Sequence, residues 1–429
     1  MFIPKLKIEN WKLKINVFWR WWLAAALLYL IFAGIVTYFY GTGFLMPLND
    51  DTGHHIRLAK NLIDYGVFSL DGLDGQRSII SPRPTNFLTP GYAFWLAFIY
   101  IIFKSFTPAI FIGVLIFALS VPLTYFLAEK IINNKKIAFW ATLIFMFEPL
   151  SIYHSGLLFT EQLFVPIFLA AAYFFIAHLK LGNKKFLAAS LLLFSVSTLI
   201  RPIIFYFLPV LILIIVLKEA KISWRGALIM GLVSTVLVYS VIGVWIIRNK
   251  IVLDTWQISS NQGAILVSHY GLVARKLKKN SFDLPSFAYE SNNFSTEYNN
   301  NLGKAALKEL IKNKWAYLEV KFGYLPVFFL TNGYNNIFSR LTGRPENFIF
   351  LIGVLIWAVI SFLGLFGLRR LFTSDRKAPV VFLVFLILYF AFVASPIVTS
   401  RYRLPLNPLI FIFAVSGFYF LRDKLKQWI

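Results

Sequence analysis

Between residues 18 and 421 the chain repeats one pattern, an apolar run followed by a short polar or basic break. Several runs are long enough to cross about 30 Å of hydrocarbon, and in lipid only helices or closed barrels satisfy their own backbone groups. The pattern predicts an all-α, polytopic transmembrane helical bundle of about ten spans: 18–40, 107–128, 137–149, 160–178, 186–200, 203–218, 226–247, 348–368, 379–395 and 404–421. A further apolar run, 90–103, is about 14 residues long and reads as an interfacial or re-entrant helix, because it is too short to span.

The basic residues agree with that reading. If 90–103 does not cross, five clusters fall on one side: Lys130, Lys135 and Lys136; Lys180, Lys184 and Lys185; Lys218, Lys221 and Arg225; Arg369, Arg370, Arg376 and Lys377; Arg422, Lys424 and Lys426. Positive charge marks the cytoplasmic side. The first run follows Lys5, Lys7, Lys12, Lys14 and Arg20 and is too long for a signal-peptide core, so a retained span with a cytoplasmic N-terminus is expected. The C-terminus is then cytoplasmic too. Two segments, 41–106 and 248–347, lie outside, and the chain 1–429 forms one membrane domain with no soluble part large enough to fold alone.

Each outer segment carries helical periodicity. After Asp51, Ile56, Ala59 and Ile63 share one face while Arg57, Lys60 and Asp64 lie elsewhere, which suits a helix at the membrane surface. The second segment runs through SNNFSTEYNNN into KAALKELIKNKWAYLEVKF.

Composition strengthens the membrane reading and narrows the chemistry. The chain is 59% hydrophobic and 14% charged, with a mean hydropathy of +0.70. It has no cysteine, which excludes disulfides and thiolate metal sites. Its formal charge of +23 sits in the breaks between apolar runs, which sets membrane orientation and gives no nucleic-acid footprint.

On this topology the unusual polar groups gather at the outer ends of the spans. They are Asn49, Asp50 and Asp51; His154, Glu161 and Gln162; Arg201 before Pro202; Arg248 within Trp245 to Lys250; and Arg401 and Arg403 within Ser400 to Arg403. Ionisable groups at such depths are functional candidates by default. Carboxylates beside arginines suit transfer of a group from a phosphate leaving group to an acceptor hydroxyl or amine. The acid takes the proton and the guanidiniums offset charge on the departing phosphate. Asp51, Asp50 and Glu161 are the candidate catalytic residues, and Arg403, Arg401, Arg248 and Arg201 the candidate phosphate contacts.

Plainer roles stand beside these. Asp51 can cap the helix it precedes, Asp50 can be solvated, Glu161 can hydrogen-bond at a helix start, and each arginine can pair with lipid phosphates. His54, His55 and His154 lack metal-ligand spacing and fit local hydrogen bonding. The 46 Phe and 12 Trp fit packing and interface belts.

In order along the chain, the segments LAKNLIDYGVFS, TPGYAFWLAFIYIIF, HSGLLFTEQLFVPIFLAAAYFF, STLIRPIIFYFLPV, VWIIRNKIVLDTWQISSNQGA and SRYRLPLNPLIFIFAVSG resemble the GT-C superfamily of membrane glycosyltransferases. The nearest branch is the bacterial one related to protein O-mannosyltransferases and lipid A aminoarabinose transferases. The resemblance implies GT-C-like architecture, a polyprenyl-phosphate sugar as donor, and inverting transfer on the outer face of the cell membrane to a lipid, glycan or protein acceptor. It places the catalytic aspartate at Asp51. No cofactor is assigned, the lipid-linked sugar being a substrate, and no divalent metal is indicated. The chain departs from the family pattern at His55, where Tyr is frequent, and at Asn313-Lys314, where Asn-Pro is common. A transporter or flippase of lipid-linked saccharides would use the same basic cavity without chemistry, and an inactive scaffold subunit is a third reading. Polar groups at one face and the lack of an evident repeat favour the enzyme.

Overall fold

The computed structural model describes residues 5–48, 51–72, 82–278, 295–372, 377–397 and 399–427. Asn49, Asp50, Arg376 and the start of the Asn/Ser-rich stretch lie outside these residues. Among the described residues every regular element is helical.

Eight described helices are long and apolar enough to cross a membrane: Lys14–Tyr40, Thr107–Ile132, Glu161–Leu181, Pro202–Ala220, Trp224–Leu253, Asn347–Phe372, Lys377–Ala394 and Ser400–Leu425. Their outward faces are apolar. In Asn347–Phe372 only Gly353, Trp357, Gly364, Gly367 and Leu371 are buried, a single stripe, while Phe348, Leu355, Val359 and Leu365 are each more than half exposed. Such a helix needs lipid around it, and the protein is a polytopic helical membrane protein.

The count differs from the expected ten in two places. The run read as a span at 137–149 is Lys135–Phe147, 13 residues long, and the chain continues after a 55° bend as Pro149–Gly156. Pro149 explains the break. It lacks an N–H and pushes Glu148 out of the helical region, to φ −64° and ψ 126°, and the Glu148 carboxylate then accepts from Ser151 N at 2.7 Å. The run 186–200 forms Lys184–Ile200, which has 17 residues and is about 26 Å long. It still runs alongside Glu161–Leu181, because Arg201 at its end bonds Glu161 at the other's start.

Cross-links between helix ends sort the bundle into two poles. At the basic ends Lys180 donates to the carbonyl of Lys130, and Arg370 pairs with Asp423, so two pairs of helix ends rich in basic residues meet. At the other pole Asp51, Glu161, Arg201 and Arg401 meet. In the core, Asn347–Phe372 and Ser400–Leu425 touch through Gly367 and Gly417. A Cβ on either would lie 1.9 Å from a carbonyl oxygen of the facing helix, Phe413 O or Leu363 O. Only glycine permits that approach.

The first loop segment holds Asp51–Tyr65 and Pro90–Phe103, packed on each other. Of the apolar stripe of Asp51–Tyr65, Ala59 is buried and Ile56 and Ile63 are half-buried against the core. The buried residues of the helix also include Thr52, Gly53, His55, Leu58 and Asn61, so three polar side chains face the protein. Each has a reason to be there: Thr52 Oγ1 donates to Leu158 O at 2.8 Å, and Asn61 Nδ2 to Ser69 O at 2.8 Å, while His55 lines the cavity described below. In the second loop segment Asn261–Lys276, Thr296–Lys312 and Lys314–Leu330 enclose a small core of Tyr270, Val273, Leu302, Ala306, Leu310 and Val320.

Candidate functional site

Four helix termini deliver the charged residues. Asp51 opens Asp51–Tyr65, and Glu161 opens Glu161–Leu181. Arg201 follows Lys184–Ile200 in extended conformation, as expected of a residue before proline, and its backbone N caps Ser197 O at 2.8 Å. Arg401 sits in the turn Ser400–Arg403.

Arg401 joins both carboxylates. Its Nε and Nη2 donate to Glu161 Oε1 and Oε2, and its Nη1 donates to Asp51 Oδ2 at 2.7 Å. Arg201 adds Nη1 to Glu161 Oε1. The guanidinium of Arg401 lies 4.3 Å from the Phe159 ring, and that of Arg201 lies between Phe164 and Tyr402 at 5.6 and 5.4 Å. The two carboxylates differ in access. Glu161 is fully buried between two arginines, whereas the Asp51 side chain is 46% exposed. Burial pushes the Asp51 carboxyl up, but the charge and hydrogen bond of Arg401 outweigh it and hold Asp51 below the usual carboxylate range. Beside it, burial pushes the His55 imidazole down to about 4, so the ring is neutral at physiological pH.

These groups border a cavity of about 480 Å³. Asp51, His55, Arg201, Arg401 and Tyr402 form one part of its wall. His269, Tyr317 and Lys321 form another, and Ile203, Ile265, Leu266 and Phe392 are among the apolar residues that complete it. Among the described residues no group of three or more His, Asp or Glu side chains is placed to hold a metal ion.

Two of the four expected arginine contacts lie elsewhere. Arg403, expected at the bundle mouth, is fully buried 3.3 Å from the Trp357 ring centre. It donates to Phe328 O and Phe329 O at 2.8 Å each and to Asn407 Oδ1 at 3.2 Å. In a helical turn it stands about 200° round from Arg401, which sends the two side chains to opposite sides. Arg248 stacks on Trp245 at 4.8 Å and donates to Thr85 O at 3.1 Å, tying the first loop segment to Trp224–Leu253. Neither lines the cavity. His154 is buried beside Phe159, Gln162 Nε2 donates to Ser155 O at 2.8 Å, and neither lines the cavity.

Sequence reasoning passed over His269, Tyr317 and Lys321. Tyr317 and Lys321 share a helix face at four-residue spacing. The partners that single out Lys321, the carbonyls of Phe392 and Ser395, are more than 70 residues away.

No protein-family model matches the chain, and no curated protein does. Among solved structures it is similar to ArnT from Cupriavidus metallidurans bound to undecaprenyl phosphate, at 13% identity and a TM-score of 0.37, over 91% of this chain and 76% of that one. A likeness that distant leaves function to be argued from the site.

Proposed function

We propose that the protein is a glycosyltransferase that moves a sugar from a polyprenyl-phosphate-linked donor to an acceptor on the outer face of the membrane, with inversion. The observation that carries this reading is the accessible carboxylate of Asp51 held ionised by Arg401 at the wall of a cavity large enough for a ligand. The order of segments along the chain, similar to that of GT-C enzymes, supports it independently.

In the proposed reaction the acceptor hydroxyl or amine attacks the anomeric carbon. The new bond forms as the bond from that carbon to the phosphate oxygen breaks, and the phosphate leaves with the electron pair. Asp51 accepts the acceptor proton. Its lowered pKa makes it a weak base in the ground state, so the proton moves late, once bond formation has acidified the nucleophile. Arg401 orients Asp51. Arg201 uses one N–H on Glu161 and borders the cavity, where it faces the reacting end of the donor. Glu161 is a positioning residue: it fixes both arginines and is too buried to reach an acceptor.

Lipid extraction from protein purified in mild detergent tests the substrate class. Mass spectrometry is expected to find a polyprenyl-phosphate sugar enriched over bulk lipid. Recovery of bulk phospholipid alone, with no transfer from any supplied prenyl-phosphate sugar, would contradict the reading.

A further inference from the structure

The charges around the cavity do not sum to zero. Arg201 and Arg401 are matched by Asp51 and Glu161, to which they are directly bonded. Lys321 also borders the cavity, and among the described residues it has no carboxylate partner. Its side chain is 4% exposed, and its ammonium donates to the carbonyls of Phe392 and Ser395 at the end of Lys377–Ala394. Those two bonds leave one N–H of the ammonium over. The group lies 5.5 Å from the Tyr317 ring centre and 5.1 Å from that of Phe392.

His269 adds a second unmatched group. It is 5% exposed, its Nδ1 lies 3.1 Å from the Tyr317 hydroxyl, and its buried Nε2 has no partner among the described residues. Burial, and then the Lys321 charge, push the imidazole down to about 3, so the ring is neutral at physiological pH. In the tautomer in which Tyr317 donates to Nδ1, Nε2 carries the proton and becomes a donor facing no acceptor. In that tautomer a buried cation with an N–H to spare and a buried N–H border one cavity, a pairing that suits an anion.

We propose that Lys321 and His269 bind the phosphate of the lipid-linked donor, leaving Arg201 and Arg401 to hold the carboxylates and the reacting end of the molecule. This assignment rests on the glycosyltransferase reading. The leaving phosphate departs toward Lys321, while the apolar wall at Ile203, Ile265 and Phe392 takes carbons of the attached prenyl chain.

The test uses full-length protein in detergent and measures affinity for undecaprenyl phosphate, undecaprenol, phosphatidate and inorganic phosphate in wild type, Lys321→Gln, Lys321→Arg and His269→Asn. Wild type is expected to prefer undecaprenyl phosphate to undecaprenol. Lys321→Gln and His269→Asn should weaken undecaprenyl phosphate binding about tenfold or more, the scale of a lost charge-assisted bond, and leave undecaprenol unchanged. Lys321→Arg should keep most of the preference. Among the described residues the His269 ring bonds Tyr317 alone, so His269→Asn carries the test if Lys321→Gln does not fold. Folded variants that still prefer the phosphate as wild type does would overturn the assignment and leave the enzyme reading intact. Phosphatidate or inorganic phosphate binding as tightly as undecaprenyl phosphate would overturn the donor assignment in favour of a lipid headgroup or a free anion. A wild type indifferent to the phosphate would sink the glycosyltransferase reading itself.

Discussion

Arg401 Nη1 and Asp51 Oδ2, 350 positions apart in sequence, lie 2.7 Å apart at the cavity wall. The same guanidinium grips Glu161, so one arginine sets the geometry of both carboxylates.

This sharing predicts an order of stability. Glu161→Gln leaves two arginines facing a neutral amide in a buried site, and removing one partner of a buried ion pair costs about 3–5 kcal/mol. Asp51→Asn removes a half-exposed partner with a much smaller effect. Thermal unfolding in detergent should rank Glu161→Gln far below Asp51→Asn; equal melting temperatures would mean that Glu161 does not hold the cluster together.

Arg403 is predicted to matter for folding and not for the donor. Arg403→Gln loses the Trp357 stack and the bonds to Phe328 and Phe329, so its unfolding temperature should fall, while the folded fraction binds undecaprenyl phosphate within about twofold of wild type. Unchanged stability with lost binding would put Arg403 in the donor site.

Two buried histidines predict acid sensitivity. His55 and His269 are depressed from 6.5 to about 4 and about 3 by burial, so the unfolded chain takes up their protons first as pH falls. Their contribution is fully present above about pH 6.5 and is lost progressively below it. Unfolding temperature measured from pH 7.5 to 4.5 should drop, and His55→Gln should flatten part of that drop; a profile unchanged by the substitution would contradict the assignment.

The lysine predicts the opposite limb. Burial pushes Lys321 down to about 8, so donor binding that relies on its charge should weaken as pH rises through about 8. Lys321→Arg stays charged and should remove that limb, whereas an alkaline loss identical in Lys321→Arg would assign it to another group.

Long apolar runs made most of the bundle legible, because lipid leaves the backbone of such a run few alternatives to a helix. The break at Glu148 was signalled by Pro149 at the end of the apolar run, whereas the helix Pro149–Gly156 that follows it was not expected. On Asp51–Tyr65 apolar spacing marks Ile56, Ala59 and Ile63, but it gives no sign that Thr52, His55 and Asn61 also turn inward, to specific carbonyls and the cavity. At the site, Asp51, Glu161, Arg201 and Arg401 could be picked out by charge at span ends. Choosing Arg401 over Arg403 required the phase of a four-residue turn. Lys321 and His269 carried no sequence signal, since a lysine in an amphipathic helix is ordinary until its partners are carbonyls from another helix.

Membrane orientation has its own test. Reporter fusions after Lys136 and Lys185 are expected to read cytoplasmic, on the same side as the C-terminus, which puts the Asp51 pole outside. A fusion after Lys136 that reads outside would invert the proposed face.

The most direct test of the account is the transfer rate of Asp51→Asn with the native lipid-linked sugar. Asparagine keeps the size and the helix-capping ability of aspartate but cannot take a proton or carry the charge that Arg401 holds in place. The account predicts a folded protein that binds donor and transfers about 100-fold more slowly or worse. A folded Asp51→Asn with near-wild-type transfer would contradict it.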